Sequence, residues 1–179
     1  MSLTLIAPPA EEPLSLADLK AHLKIDGAEE DALLSGLILA ARRTLEAKFG
    51  LALIAQTWRL ALDAAPAAPI VLSLSPILSV DSLGAVRGGI VEALPPSAYE
   101  AIAGPVGRVL IKAPATTDRA LAGVVIVFTA GWANAEAVPE ELKLAIKILA
   151  AHYYETREGE AEEPPNVAPL VAPYRQVRL

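Results

Sequence analysis

The sequence predicts an α+β fold: two N-terminal helices, a central block of short, mainly antiparallel strands, one C-terminal helix and an extended tail. Three observations carry this reading. Apolar residues recur at helical spacing near both ends, as Leu34, Ile38, Ala41, Leu45 and Phe49 and again as Leu142, Ile146, Leu149 and Tyr153. Between them, residues 56–129 hold short apolar runs divided by Pro and Gly, the pattern of strands and turns. Beyond residue 163, Pro164, Pro165, Pro169 and Pro173 discourage regular structure.

Taken in order, residues 1–14 read as an extended arm, because Pro8, Pro9 and Pro13 oppose a helix. Ser15 is a helix cap with Asp18 three residues on, so a short helix is expected from Leu16 to Lys24, broken by Asp26-Gly27. A longer helix is expected from Glu29 to Phe49. Its first turn is acidic, Arg42, Arg43 and Lys48 lie in later turns, and Gly50 suits its C-terminal stop. Ser35-Gly36 falls inside this pattern and reads as a point of close packing.

Strands are expected at Gln56–Asp63, with Trp58, Leu60 and Leu62 on one face, at Ile70–Leu74 and at Ile77–Val86. Gly88-Gly89 turns the chain so that Ile90–Leu94 returns as a hairpin. Val106–Lys112 and Leu121–Thr129 follow. The run Val124-Val125-Ile126-Val127 is apolar on both faces, as a central strand is. Pro139, with Glu140 and Glu141, opens the last helix, expected to reach Tyr154 or Arg157. The domain reading is an arm at 1–14, a single α+β domain at 15–158 and a Pro-rich docking tail at 159–179.

Composition narrows the function. The 179 residues are 54% hydrophobic, which suits one domain with a real core. A net charge of −6 makes the chain a poor candidate for gripping nucleic acid, since phosphate affinity comes from Lys and Arg. With no cysteine, disulfides and thiolate metal sites are excluded. The first 13 residues lack the basic start and apolar core of a secretory signal, and no apolar run is long enough to span a bilayer as a helix. The plain expectation is a soluble cytoplasmic chain.

A search for chemistry finds none. The two histidines, His22 and His152, lie on different helices and outside any metal motif. Ser73, Ser75 and Ser79 have no nucleophile elbow around them. Gly104-Pro105-Val106-Gly107 lacks the Gly-Lys-Ser/Thr ending of a phosphate loop, and no cofactor motif occurs. The carboxylate pairs Glu140-Glu141 and Glu162-Glu163 are explained by capping and solvation, although a pair assembled only by the fold would escape this search.

Three stretches carry a resemblance. The first is Pro-Pro-Ala-Glu-Glu-Pro-Leu-Ser-Leu-Ala-Asp-Leu-Lys-Ala-His-Leu-Lys-Ile-Asp at 8–26, followed by Glu-Glu-Asp-Ala-Leu-Leu at 29–34. The second is Leu53-Ile54-Ala55-Gln56-Thr57-Trp58, just after Phe49-Gly50. The third runs Phe128-Thr129-Ala130-Gly131-Trp132, Val138-Pro139-Glu140-Glu141-Leu142-Lys143 and Ala151-His152-Tyr153-Tyr154-Glu155-Thr156-Arg157. With Ala172-Pro173-Tyr174-Arg175 they span nearly the whole chain, leaving 64–123 as the stretch with least of the pattern. The order resembles the phage head–tail connector (adaptor) family, in the α+β branch also found in phage-like gene transfer agents.

The resemblance implies a non-enzymatic virion protein, without cofactor or metal, assembled in the host bacterial cytoplasm. Its copies would form a ring, typically dodecameric, between the portal protein and a stopper or other tail-side neck protein. DNA would pass through the ring without sequence-specific binding, and no membrane is involved. An acidic wall suits that role, since like charge keeps DNA from adhering. The tail is expected to bind the portal through Leu170, Val171, Tyr174, Arg175, Val177, Arg178 and Leu179, because these apolar, aromatic and basic residues have no evident place in the chain's own core. Other readings are a different neck component (stopper or tail terminator), a small carboxylate-dependent hydrolase, and a monomeric ligand-binding module.

Overall fold

A computed structural model describes residues 1–113, 115–156 and 164–175. Its first layer is helical. Helix α1 (Leu16–Leu23) starts at Ser15, whose Oγ accepts the backbone N–H of Asp18 at 3.1 Å. It ends at Lys24, which adopts a left-handed conformation. Helix α2 (Asp31–Phe49) begins two residues later than its acidic run suggested, and Gly50 stops it at φ +67°. Helix α3 (Glu140–Glu155) follows Pro139, which serves as the flanking cap rather than as the first helical residue.

Leu34, Ile38, Ala41 and Leu45 of α2 share a buried cluster with Leu142, Ala145, Ile146 and Leu149 of α3, and Leu14 and Leu19 close it from the α1 side. This is the packing that the two helical stripes predict. Leu45 is 1% exposed, so Leu45→Ala is expected to lower unfolding stability by about 2–5 kcal/mol. An unchanged urea midpoint would show that the site collapses without cost.

Among the described residues eight strands form the second layer: β1 (Ser2–Ala7), β2 (Gln56–Leu62), β3 (Ile70–Val71), β4 (Ile77–Arg87), β5 (Ile90–Ala93), β6 (Tyr99–Ile102), β7 (Arg108–Ile111) and β8 (Val124–Ala130). Five make an antiparallel sheet in the order β1-β2-β8-β4-β5, and three a smaller one in the order β3-β7-β6. Leu60 and Leu62 of β2, Leu83 of β4 and Val124, Ile126 and Phe128 of β8 share one buried cluster with Ile70 and Val109 of the smaller sheet. The middle of the chain is thus two sheets over a common apolar core. Strand β8 is the central one, as its apolar run predicts, with Val125 on the opposite face 3% exposed.

Three features go beyond or against the sequence reading. The N-terminal residues are extended, as expected, and join the sheet: β1 pairs antiparallel with β2, from Ser2 opposite Ala61 to Leu5 opposite Trp58. Strand β6 has no alternating apolar signal, since Glu100, Ala101 and Ile102 are all exposed, and backbone pairing with β7 defines it. Gly36 is not a point of close packing, because a Cβ added there would meet no atom within 4 Å.

Candidate docking surfaces

The two layers meet where the second and third quoted stretches lie side by side. Gln56 pairs with Ala130 across β2 and β8, Ile54 bridges to Trp132, and the Ala55 N–H donates to the Trp132 carbonyl at 2.8 Å. Gly131, at φ +115°, passes so close to the Ile54 carbonyl that a Cβ would collide with it. This explains in steric terms why Ala-Gly-Trp faces Leu-Ile-Ala-Gln.

Below this junction lies a buried charge network. Arg42 is 4% exposed. Its Nε donates to Glu12 Oε2 and its Nη1 to Glu46 Oε2, each at 2.7 Å. Glu46 Oε1 accepts the Leu53 N–H and the Gln56 amide, each at 2.8 Å. One guanidinium therefore joins the N-terminal segment, α2 and the entry to β2. Burial alone would pull Arg42 down, but the two carboxylates outweigh it and hold the group above its ordinary value. Burial pushes Glu46 up, and outweighs the Leu53 N–H, the Arg42 charge and the Gln56 amide. Both values rise, with opposite meaning: the charged form of Arg42, which faces two carboxylates, is favoured, whereas that of Glu46, buried with one cation, is disfavoured.

The C-terminal segment folds back on this body. Residues Ala168–Val171 form a helical turn, α4, packed on α3. Val167 and Val171 are 4% and 0% exposed and belong to the helical core, with Leu170 and Tyr174 packed at its edge. The expectation that these apolar residues lack a place in the chain's own core is therefore wrong for Val171, and in part for Leu170 and Tyr174. The pattern that would have shown it is Val167 and Val171, one helical turn apart across Pro169.

Tyr174 sets its ring edge-on to Trp132, with centroids 6.1 Å apart, and donates its hydroxyl to Glu141 Oε2 at 3.0 Å. Desolvation and the Glu141 carboxylate raise the Tyr174 pKa. The Ser75 hydroxyl lies 2.9 Å from the Pro105 carbonyl and 3.4 Å from that of Tyr174. A groove of about 480 Å³ is lined here by Pro76, Pro105, Val106, Trp132, Tyr174 and Arg175. Arg175 is exposed, and among the described residues it has no ion-pair partner. Val177, Arg178 and Leu179 lie outside the described residues. A second groove, about 430 Å³, runs between α2 and β1, lined by Leu5, Pro8, Arg43, Glu46, Trp58 and Leu74.

Among the described residues no group of three His, Asp or Glu side chains is placed to hold a metal, and no helix is long and apolar enough to cross a membrane. His22 is exposed and His152 half-buried beside Tyr153, on separate helices. Ser75 is buried with a carbonyl, not a base, as its near partner.

Comparison with known proteins agrees with this architecture. Residues 13–83 match the family model of the phage gp6-like head–tail connector proteins. No curated protein matches the chain. Among solved structures, a chain from the neck of an empty gene transfer agent particle, computed with C6 symmetry, is 28% identical with a TM-score of 0.86. A chain from the virion of a native gene transfer agent particle is 30% identical with a TM-score of 0.81, and one from the native neck computed with C12 symmetry is 29% identical with a TM-score of 0.80. Each match covers 100% of this chain and 97% of the other. The protein belongs to the phage head–tail connector family, in the α+β branch found in gene transfer agents.

Proposed function

We propose that the chain is a structural adaptor subunit, forming a ring below the portal of a tailed phage or phage-like particle. The ring extends the DNA channel and gives the tail a platform. One observation carries this: the likeness to particle-neck chains runs the full length of this protein and includes both layers. Cyclic symmetry in those necks supports a ring, and the absence of catalytic chemistry from the sequence motifs fits a structural part. Deleting the gene is expected to leave DNA-filled or leaking heads and separate tails in electron micrographs. Normal tailed particles from the deletion strain would remove the assignment.

Within this reading the C-terminal segment is the portal-binding element. Val171 and Leu170 anchor the segment to α3, and Tyr174, Arg175, Val177, Arg178 and Leu179 are offered to the portal. Tyr and Arg are the residue types that most often anchor interfaces. Truncation after Pro165 removes two buried valines and is expected to cost on the order of 3 kcal/mol, read as a lower melting temperature. Truncation after Tyr174 is expected to leave the melting temperature unchanged and to abolish attachment to portal-bearing heads. If the shorter deletion still joins heads normally, residues 175–179 are not the docking element.

A further inference from the structure

Helices α2 and α3 each bury one face and turn the other outward. The outward face of α2 carries Ala32, Leu33, Gly36, Ala40, Arg43 and Ala47, all exposed. Leu33 is 38% exposed, and Gly36, a poor helix residue, answers to no neighbour in its own subunit. The outward face of α3 carries Leu144, 42% exposed, with Lys147 and Ala151 half-buried and Glu155 exposed at its end. Both faces therefore expose a leucine, which on α2 stands among small residues.

Each face offers the other one charge of opposite sign, Arg43 on α2 and Glu155 on α3. Arg43 and Lys48 are the exposed cations of α2, whereas Glu46 turns inward to Arg42. On α3, Glu140, Glu141 and Glu155 are exposed, and Lys143 is taken up by Glu140 at 2.7 Å. Lys147, the other cation of that helix, lies on the same outward face about two turns before Glu155. Neither Arg43 nor Glu155 has a side-chain partner among the described residues.

A closed ring with cyclic symmetry needs two different patches on every copy, each meeting the other on the next subunit. We infer that neighbouring copies pack the outward face of α2 on the outward face of α3, with Arg43 of one copy beside Glu155 of the next. Ala32, Gly36 and Ala40 let the two helix backbones approach, so that Leu144 of the next copy lies over them beside Leu33. Ridges of larger side chains packing into such a shallow groove is ordinary helix–helix geometry. The inference rests on the ring reading above, and the test separates the two.

The chain has no cysteine, so engineered thiols are its only ones. Particles are prepared with Ala32→Cys and Leu144→Cys together, with each alone, and with a control pair on the strand layer, Ile90→Cys and Ile102→Cys. A short bismaleimide is added, and multimers of this protein are read on a gel. The expected result is a ladder of dimers and higher multimers from the α2/α3 pair, and none from the single variants or the control pair. A dimer from one single variant would mean a two-fold contact and overturn the inference. So would its absence from the double variant in particles that contain the protein, or cross-links to another virion protein in place of a ladder. If the unmodified protein is absent from particles, the ring reading fails first. Charge reversal gives a second arm that does not depend on thiols. Arg43→Glu and Glu155→Arg are each expected to lower incorporation on the order of tenfold, and the double reversal to restore it. Single reversals that incorporate like the unmodified protein would overturn the pairing.

Discussion

Arg42→Ala is expected to destabilise the protein by about 3–5 kcal/mol, because it leaves the buried Glu46 carboxylate without its opposite charge. The side chains of Arg42 and Glu46 are 5% and 13% exposed, so water does little to replace what is lost. The cost reaches beyond one ion pair. Glu46 also holds the Leu53 N–H and the Gln56 amide, and Glu12 ties the N-terminal segment to α2. A double variant, Arg42→Met with Glu46→Gln, removes both charges and is expected to lose less than Arg42→Ala alone. Urea unfolding measures both, and an alanine variant within about 1 kcal/mol of the parent would show that water enters and screens the site.

Phe128→Ala is expected to cost about 3–5 kcal/mol, the loss of a large buried ring plus the cavity it leaves. Phe128 is fully buried in the central strand, opposite Trp58 on β2 and Val80 on β4. Strands on both sides hold their positions by backbone pairing, so the site has little freedom to collapse. Val71→Ala is the matched control. Val71 is 53% exposed on the short β3 strand, and its loss is expected to stay within about 0.5 kcal/mol. Equal melting temperatures for the two variants would mean that the core between the sheets is not close-packed at β8.

Much of this architecture was legible before any coordinates. Helices α2 and α3 were visible because each repeats apolar residues on one face, and burial of that face is what makes them helices. The Ser15 cap, the Gly50 stop, the Gly88-Gly89 hairpin and the central position of β8 were visible for the same kind of reason. In each, the local sequence has one physically sensible conformation.

What escaped the sequence is whatever depends on partners distant along the chain. Strand β6 is exposed along most of its length and exists through hydrogen bonds to β7, so no side-chain period announces it. The N-terminal residues read only as an extended arm because their partner, β2, is distant along the chain. The candidate docking surfaces divide along the same line. Tyr174 and Arg175 stood out by residue type alone, since aromatic and basic residues in a Pro-rich segment are unusual. That Val171 belongs to the helical core was decided by the chain returning across α3. The Arg42 network needed Glu12, Glu46, Leu53 and Gln56 to converge from three segments.

The sequence by itself determined the fold class, the order of the main elements, the lack of motif-borne chemistry and the family. Those follow from local periodicity, composition and short motifs, which are properties of neighbouring residues. Only the tertiary structure decided the split into two sheets, the buried ion network, the fold-back of the tail and the two outward helix faces. Those are consequences of burial, and burial at any residue is set by segments that sequence proximity does not bring together.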